Sequence, residues 1–196
     1  AELHSHQLNS VSLLQKHFFF LSDLILYNVE KSPMNKKVPL KSDRDLIKTS
    51  IIEYRKLEKK VSNIEINLYP HYFEKGIDAY KSEAGLTGNY IRKTLKSTVA
   101  LQSKLNIFNT KFSRSYIVTT RIMGFDGRKI LLYQELLLKN ELLANLQTLS
   151  ISFDIKMRKS CQFEPEINER LKKIYDNHFN LSLPEDFSPL FELTAS

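Results

Sequence analysis

Tryptophan is absent from the 196 residues, cysteine occurs once, and glycine and proline occur only five and six times. One cysteine cannot build a disulfide framework within the chain. So few chain-bending residues argue against a loop-rich or all-β architecture and in favour of long helices. No apolar run approaches the roughly 18 residues that a membrane-spanning helix needs. The short apolar stretch Phe18-Phe19-Phe20-Leu21 lacks the basic flank and small-residue cleavage site of a signal peptide. Missing too are a Gly-rich phosphate loop, a Gly-x-Ser-x-Gly elbow and a His-Glu-x-x-His helix.

What is present is a hydrophobic content of 42%, too high for intrinsic disorder, on a length that suits one domain over 1–196. The net charge is +7, and it is unevenly spread. Residues 31–60 hold ten Lys/Arg against four Asp/Glu, and residues 101–160 hold ten against four again. Such blocks either form a solvated surface or merge into a patch that attracts nucleic acid or anionic lipid.

Leu3, Val11, Leu14, Phe18, Leu21 and Ile25 recur at helical spacing and predict a long helix over 2–30. Residues 31–42, with two prolines and four lysines, predict a mobile basic loop. Ser42 and Asp45 have the spacing of a capping box, after which Ile47, Ile51, Tyr54 and Val61 predict a helix running to Pro70. Ile64, Ile66 and Leu68 alternate with polar residues and offer a short strand as the competing reading there. A short helix is expected over 71–83, broken at Gly85 and Gly88, followed by a long one from Asn89 to Phe112.

The stretch 116–133 reads as a β-hairpin around Asp126-Gly127. Its rival is a helix from Asp126 to Leu149, supported by Leu131, Leu138, Leu142 and Leu146. Leu149, Ile151, Phe153, Ile155 and Met157 alternate with polar residues as a strand would. Pro165 opens an amphipathic helix through Ile167, Leu171 and Ile174, and Pro184 a short closing one. The expected fold is therefore mainly α, a bundle of long amphipathic helices. A small β element around 116–157 gives an α+β alternative. Both termini carry apolar residues at helical spacing and are expected to continue into helices beyond the sequence.

No arrangement for acid–base or nucleophilic work stands out, so the chain is expected not to be an enzyme, with no cofactor and no metal. Cys161 has no histidine within 15 residues and reads as inert. His4 and His6 point to different helix faces and gain no third ligand. Glu164 and Glu166 flank Pro165, where a helix start favours acids. Asp126, between two glycine-containing steps, reads first as a turn former.

Two resemblances follow. Ala84-Gly85-Leu86-Thr87-Gly88 and the basic helix after it resemble the second half of a bacterial helix-turn-helix. That resemblance implies a winged helix-turn-helix around 79–133, with Arg92, Lys93 and Lys96 facing DNA and the hairpin as wing. Lys81 departs from it, occupying a site where a small residue lets the two helices approach. At the level of architecture, the long helices, the termini and the lack of a catalytic set resemble the extracytoplasmic sensor domains of bacterial histidine kinases and chemoreceptors. This second resemblance implies a sensory domain of a signal-transduction receptor, on the periplasmic side of a membrane joined through flanking segments. Its partner would be a small solute, a protein or a second copy of the chain. Arg92, Arg121 and Asp126 are then the polar groups expected to bind an anionic or zwitterionic ligand. DNA binding, with a cytoplasmic location, is the alternative, and a helical scaffold subunit of a larger assembly is a third.

Overall fold

The computed structural model describes residues 25–28, 46–52, 64, 68–181 and 187. Strands β1 (Ile25–Asn28) and β2 (Ile47–Ile52) precede helices α1 (Tyr69–Ala84) and α2 (Gly88–Thr94). Four long strands follow: β3 (Lys96–Ile107), β4 (Ser115–Phe125), β5 (Lys129–Leu138) and β6 (Glu141–Asp154). A two-residue β7 (Lys159–Ser160) and helix α3 (Pro165–Phe179) close the described chain. The strands form one sheet in the order β1-β3-β6-β5-β4-β2, with β7 on β6. All pairings are antiparallel except that of β1 with β3.

This is a sheet-dominated molecule, and the expected helical bundle is wrong. Helix was expected where β1, β2 and β3 lie, and the rival helix over 126–149 covers β5 and most of β6. The physical reason is clearest in β5, where seven of ten residues are buried and both faces are covered. A strand buried on both sides loses its polar alternation and reads as a continuous apolar run. Leucines at 131, 138 and 142 then fall at helical spacing by coincidence. In β3 a bulge between Ala100 and Gln102 shifts the alternation by one residue and leaves a spurious helical stripe from Val99 to Leu105. The helix expected from Asn89 to Phe112 ends at Thr94, capped by Leu95 in the left-handed region.

Other elements are as read. The hairpin β4–β5 turns at Asp126-Gly127, where Asp126 Oδ1 accepts from the amides of Arg128 (2.9 Å) and Lys129 (2.6 Å). Gly127 adopts φ +83, a conformation that costs little without a Cβ. The helix expected over 71–83 is α1, and the helix after Pro165 is α3. The proposed wing is two central strands of the sheet, so the winged helix-turn-helix arrangement is not formed. The loop at 31–42 and the helix after Pro184 lie outside the described residues, as does most of the helix expected over 2–30. So do the proposed capping box at Ser42 and Asp45 and most of the strand reading at 64–68.

Helix α1 lies across one face of the sheet, and its buried side sets the core. Tyr69, Tyr72 and Phe73 pack with Leu105, Ile107, Tyr116, Val118 and Leu136. About two turns on, Tyr80 and Ala84 pack with Ile122, Ile130, Leu132 and the α3 residues Ile167, Leu171 and Ile174. Between these clusters the helix touches the sheet at Gly76. A Cβ there would stand 2.5 Å from Gln134 Nε2 and 2.7 Å from both Thr120 Oγ1 and Val118 Cγ1. The Gln134 amide donates to the Phe73 carbonyl (3.0 Å) and to Thr120 Oγ1 (3.1 Å), pinning helix to strand.

Helix α3 completes this layer at the sheet edge. Within the described residues the β2–β4 ladder ends at Ile47↔Thr120. The next outward amide of β4, Ile122 N–H, donates instead to buried His178 Nδ1 (2.9 Å). A side chain thus takes over where the strand stops, as buried backbone donors require.

Two stability predictions follow. Gly76→Ala forces a methyl into closed packing and should cost about 1–3 kcal/mol in urea unfolding. For His178, Asn keeps an acceptor near the Nδ1 position whereas Leu strands the Ile122 amide. His178→Leu should therefore cost about 1–3 kcal/mol, and clearly more than His178→Asn, in the same measurement.

Candidate active site

The face opposite α1 holds an unusual amount of buried polarity. Gln134 points to α1, so alternation places its neighbours Tyr133 and Glu135 on the far face of β5. Register then assembles two adjacent cross-strand rows. One runs Lys48–Thr119–Glu135–Asn145–Asn106 over five strands. The other runs Arg121–Tyr133–Gln147–Lys104 over four. Apolar pairs bound them on both sides, Ile117↔Leu137 on one and Leu131↔Leu149 on the other.

The rows are not an ordinary solvated face. Asn145 is 0% exposed, Tyr133 1%, Gln147 3% and Thr119 4%. Part of the cover is Phe187, whose ring meets that of Tyr133 edge-on at 5.6 Å and 89°. Buried polar groups persist where they satisfy one another, as Asn145, Tyr133 and Thr119 do. Asn106 Nδ2 donates to Asn145 Oδ1 (2.9 Å), and Asn145 Nδ2 donates to the Tyr133 hydroxyl (3.4 Å). Tyr133 in turn donates to Glu135 Oε1 (3.3 Å), while Thr119 Oγ1 donates to Glu135 Oε2 (3.2 Å). Every donor in the chain points toward one carboxylate, the arrangement that suits its ionised form.

Other half-buried carboxylates have structural duties. Asp126 closes its turn, and Asp154 Oδ1 accepts from the Met157 amide (2.8 Å). Glu141 joins Lys111 (2.8 Å) and Asn109 (2.6 Å), beside the Asn109 carbonyl that takes the Tyr69 hydroxyl at 2.9 Å. Glu164 pairs with Lys96, and that hydrogen bond raises the Lys96 pKa above its ordinary value. Glu135 differs in sitting mid-strand, among hydroxyls and amides, with Lys48, Lys104 and Arg121 in the same two rows. The two rows thus carry three cations and one carboxylate, a local excess of positive charge.

On the α1 face the Tyr80 hydroxyl is buried without a hydrogen-bond partner in the structure, and burial pushes its pKa well up, so it stays protonated. Among the described residues no group of three or more His, Cys, Asp or Glu side chains is placed to hold a metal ion. No helix among them is long and apolar enough to cross a membrane.

The residues singled out from sequence do not converge. Arg92 is exposed on α2 and bonded to Asn89. Lys93 is exposed beside it, and Lys96 is tied to Glu164, so no shared DNA-facing row forms. Asp126 belongs to the turn. Arg121 alone lands in the polar rows. Cys161 is half-buried, its Sγ 3.3 Å from Ser152 Oγ. Sequence reading missed Thr119, Tyr133, Glu135, Asn145 and Asn106, because their row exists only through register between four strands. The available signal was polar residues recurring at odd positions inside apolar runs, Tyr133 and Glu135 in one strand and Asn145 and Gln147 in the next.

A long helix laid across a strongly antiparallel sheet in this strand order is the hotdog fold. Solved structures with the same arrangement support that assignment. A hypothetical protein from Staphylococcus aureus in complex with CoA matches at TM-score 0.65 and 13% identity, over 75% of this chain and 96% of that one. The DHNA-CoA thioesterase of Staphylococcus aureus matches at TM-score 0.59 and 18% identity, over 67% and 91%. A 1,4-dihydroxy-2-naphthoyl-CoA thioesterase from Synechocystis matches at TM-score 0.56 and 12% identity, over 65% and 96%. No protein-family model matches the sequence. No curated protein matches it either.

At these identities the likeness establishes the fold. It overturns the reading as a helical sensor domain of a receptor, whose architecture this chain does not share. Neither the DNA-binding nor the scaffold alternative gains support. The expectation of a non-enzyme is corrected as well, since many structural neighbours are named thioesterases.

If the row is one connected network, its members should not act independently. Tyr133→Phe and Asn145→Ala should show a coupling of about 0.5–3 kcal/mol in a double-mutant cycle by urea unfolding. Simple additivity would mean the 3.4 Å contact carries no energy.

Proposed function

We propose that the chain is a thioesterase-like enzyme acting on acyl-CoA thioesters, with Glu135 as its general base. One observation carries the reading: the Thr119 and Tyr133 hydroxyls donate to the Glu135 carboxylate, with the Asn145 and Asn106 amides lined up behind Tyr133, in a fold shared with named thioesterases and with a CoA-bound protein. The small-molecule partner proposed is thus an acyl-CoA.

The chemistry asks little of the residues. Thr119 and Tyr133 hold the carboxylate in one orientation, and its oxygens are the acceptors for a proton of the attacking water molecule. As that water attacks the thioester carbonyl, Glu135 takes its proton. The tetrahedral intermediate collapses, the C–S bond breaks, and the proton returns to the departing CoA sulfur. A carboxylic acid and free CoA thiol result. Lys48, Lys104 and Arg121 supply positive charge for the phosphates of CoA, as bidentate or point contacts.

The test is release of free thiol from a panel of acyl-CoA substrates, read with a thiol-reactive dye. Wild type should turn over at least one of them. Glu135→Gln should lower kcat by about 100-fold or more, the usual worth of a positioned base, with its unfolding midpoint little changed. Arg121→Ala and Lys104→Ala should instead raise KM and flatten the dependence of kcat/KM on salt. An active Glu135→Gln enzyme would remove Glu135 from the chemistry.

A further inference from the structure

Phe187 is the one described residue beyond Leu181, and its position is informative. Helix α3 packs on the α1 side of the sheet, where His178 accepts the Ile122 amide at the edge of β4. Phe187 nevertheless touches Tyr133, which belongs to the opposite face.

The contact is made with the ring whose hydroxyl donates to Glu135 Oε1 at 3.3 Å. Phe187 is thus an apolar group set directly beside the polar rows, half-buried and turned edge-on to the Tyr133 ring at 5.6 Å. Tyr133 is 1% exposed, whereas Glu135 on the same face is half-buried. Tyr133 is therefore the more deeply covered of the two. A thioester that reaches Glu135 brings a charged CoA moiety, which the Lys104 and Arg121 side chains suit, and an acyl group, which needs an apolar wall.

We propose that Phe187 is that wall and is the residue that sets which acyl groups fit. It rests on the reading of Glu135 as the reacting carboxylate. The ring occupies space beside Tyr133, so a bulky or long acyl group must compete with it while a short one need not. Removing the ring uncovers Tyr133, whose neighbour two residues along the strand on the same face is the apolar Leu131–Leu149 pair.

Two variants test this. For Phe187→Ala, the ratio of kcat/KM for a C12 acyl-CoA to that for acetyl-CoA should rise at least tenfold over wild type. A merely structural role would move both substrates together, and an unchanged ratio overturns the proposal. The chain contains no tryptophan, so Phe187→Trp installs a single fluorescent reporter at the wall. Titration with dodecyl-CoA, a thioether that cannot be hydrolysed, should shift its emission maximum and quench it saturably. This second arm does not depend on turnover. If wild type hydrolyses no thioester, a saturable response in Phe187→Trp retains Phe187 at the ligand site while the catalytic reading of Glu135 falls. No response to the thioether overturns the wall itself.

Discussion

The near-contact of helix and sheet at Gly76 governs the depth at which α1 sits. With hydrogen in place of a side chain, the helix backbone comes down onto Thr120 and Gln134, and the Gln134 amide reaches the Phe73 carbonyl. Large aromatic side chains on either side of this waist, Tyr72 and Phe73 before it and Tyr80 after it, then fill the two core clusters. A deeper or shallower helix would open one cluster or crush the other. The arrangement tolerates a cost: Gln134 Oε1 is a buried acceptor without a hydrogen-bond partner in the structure, a defect worth about 1–3 kcal/mol. A polar anchor in this setting specifies position more than it adds stability.

Because Gln134 faces the helix, its neighbours face away, and the site on the far side inherits its register from the same strand. Tyr133 and Glu135 are held at fixed height by the pairing of β5 with β4 and β6. Preorganisation of this kind comes from a rigid sheet rather than from loops, which suits a carboxylate that must keep one orientation. The edge fastening at His178 extends the same logic to α3, where a single acceptor replaces a missing strand.

How much of this was legible follows from where the information lies. The Asp126-Gly127 hairpin was readable because turn chemistry is local: a carboxylate over two amides and a glycine at positive φ. Helices α1 and α3 were readable because each has one apolar stripe and a proline start, and Gly85 ends α1 in the left-handed region. The stretch from the middle of β5 to the middle of β6 was not, because burial on both faces erased the period of two and left leucines at intervals that imitate a helix. The site was least legible of all. Asn106, Thr119, Glu135 and Asn145 are separated by up to 39 residues, and only the strand registers bring them into line. Arg121 was the exception, chosen for its charge near a break and found in the adjacent row.

The hydrogen bonds across the outer face run one way, from Asn106 through Asn145 and Tyr133 to Glu135. Carboxamides hold such a line steady but do not pass protons along it, since an amide nitrogen has no proton to lose at neutral pH. The row is therefore an insulator and not a wire. A hydrogen ion on Glu135 is thus not handed along Asn145 and Asn106 across the sheet, and its exchange is confined to the immediate surroundings of the carboxylate.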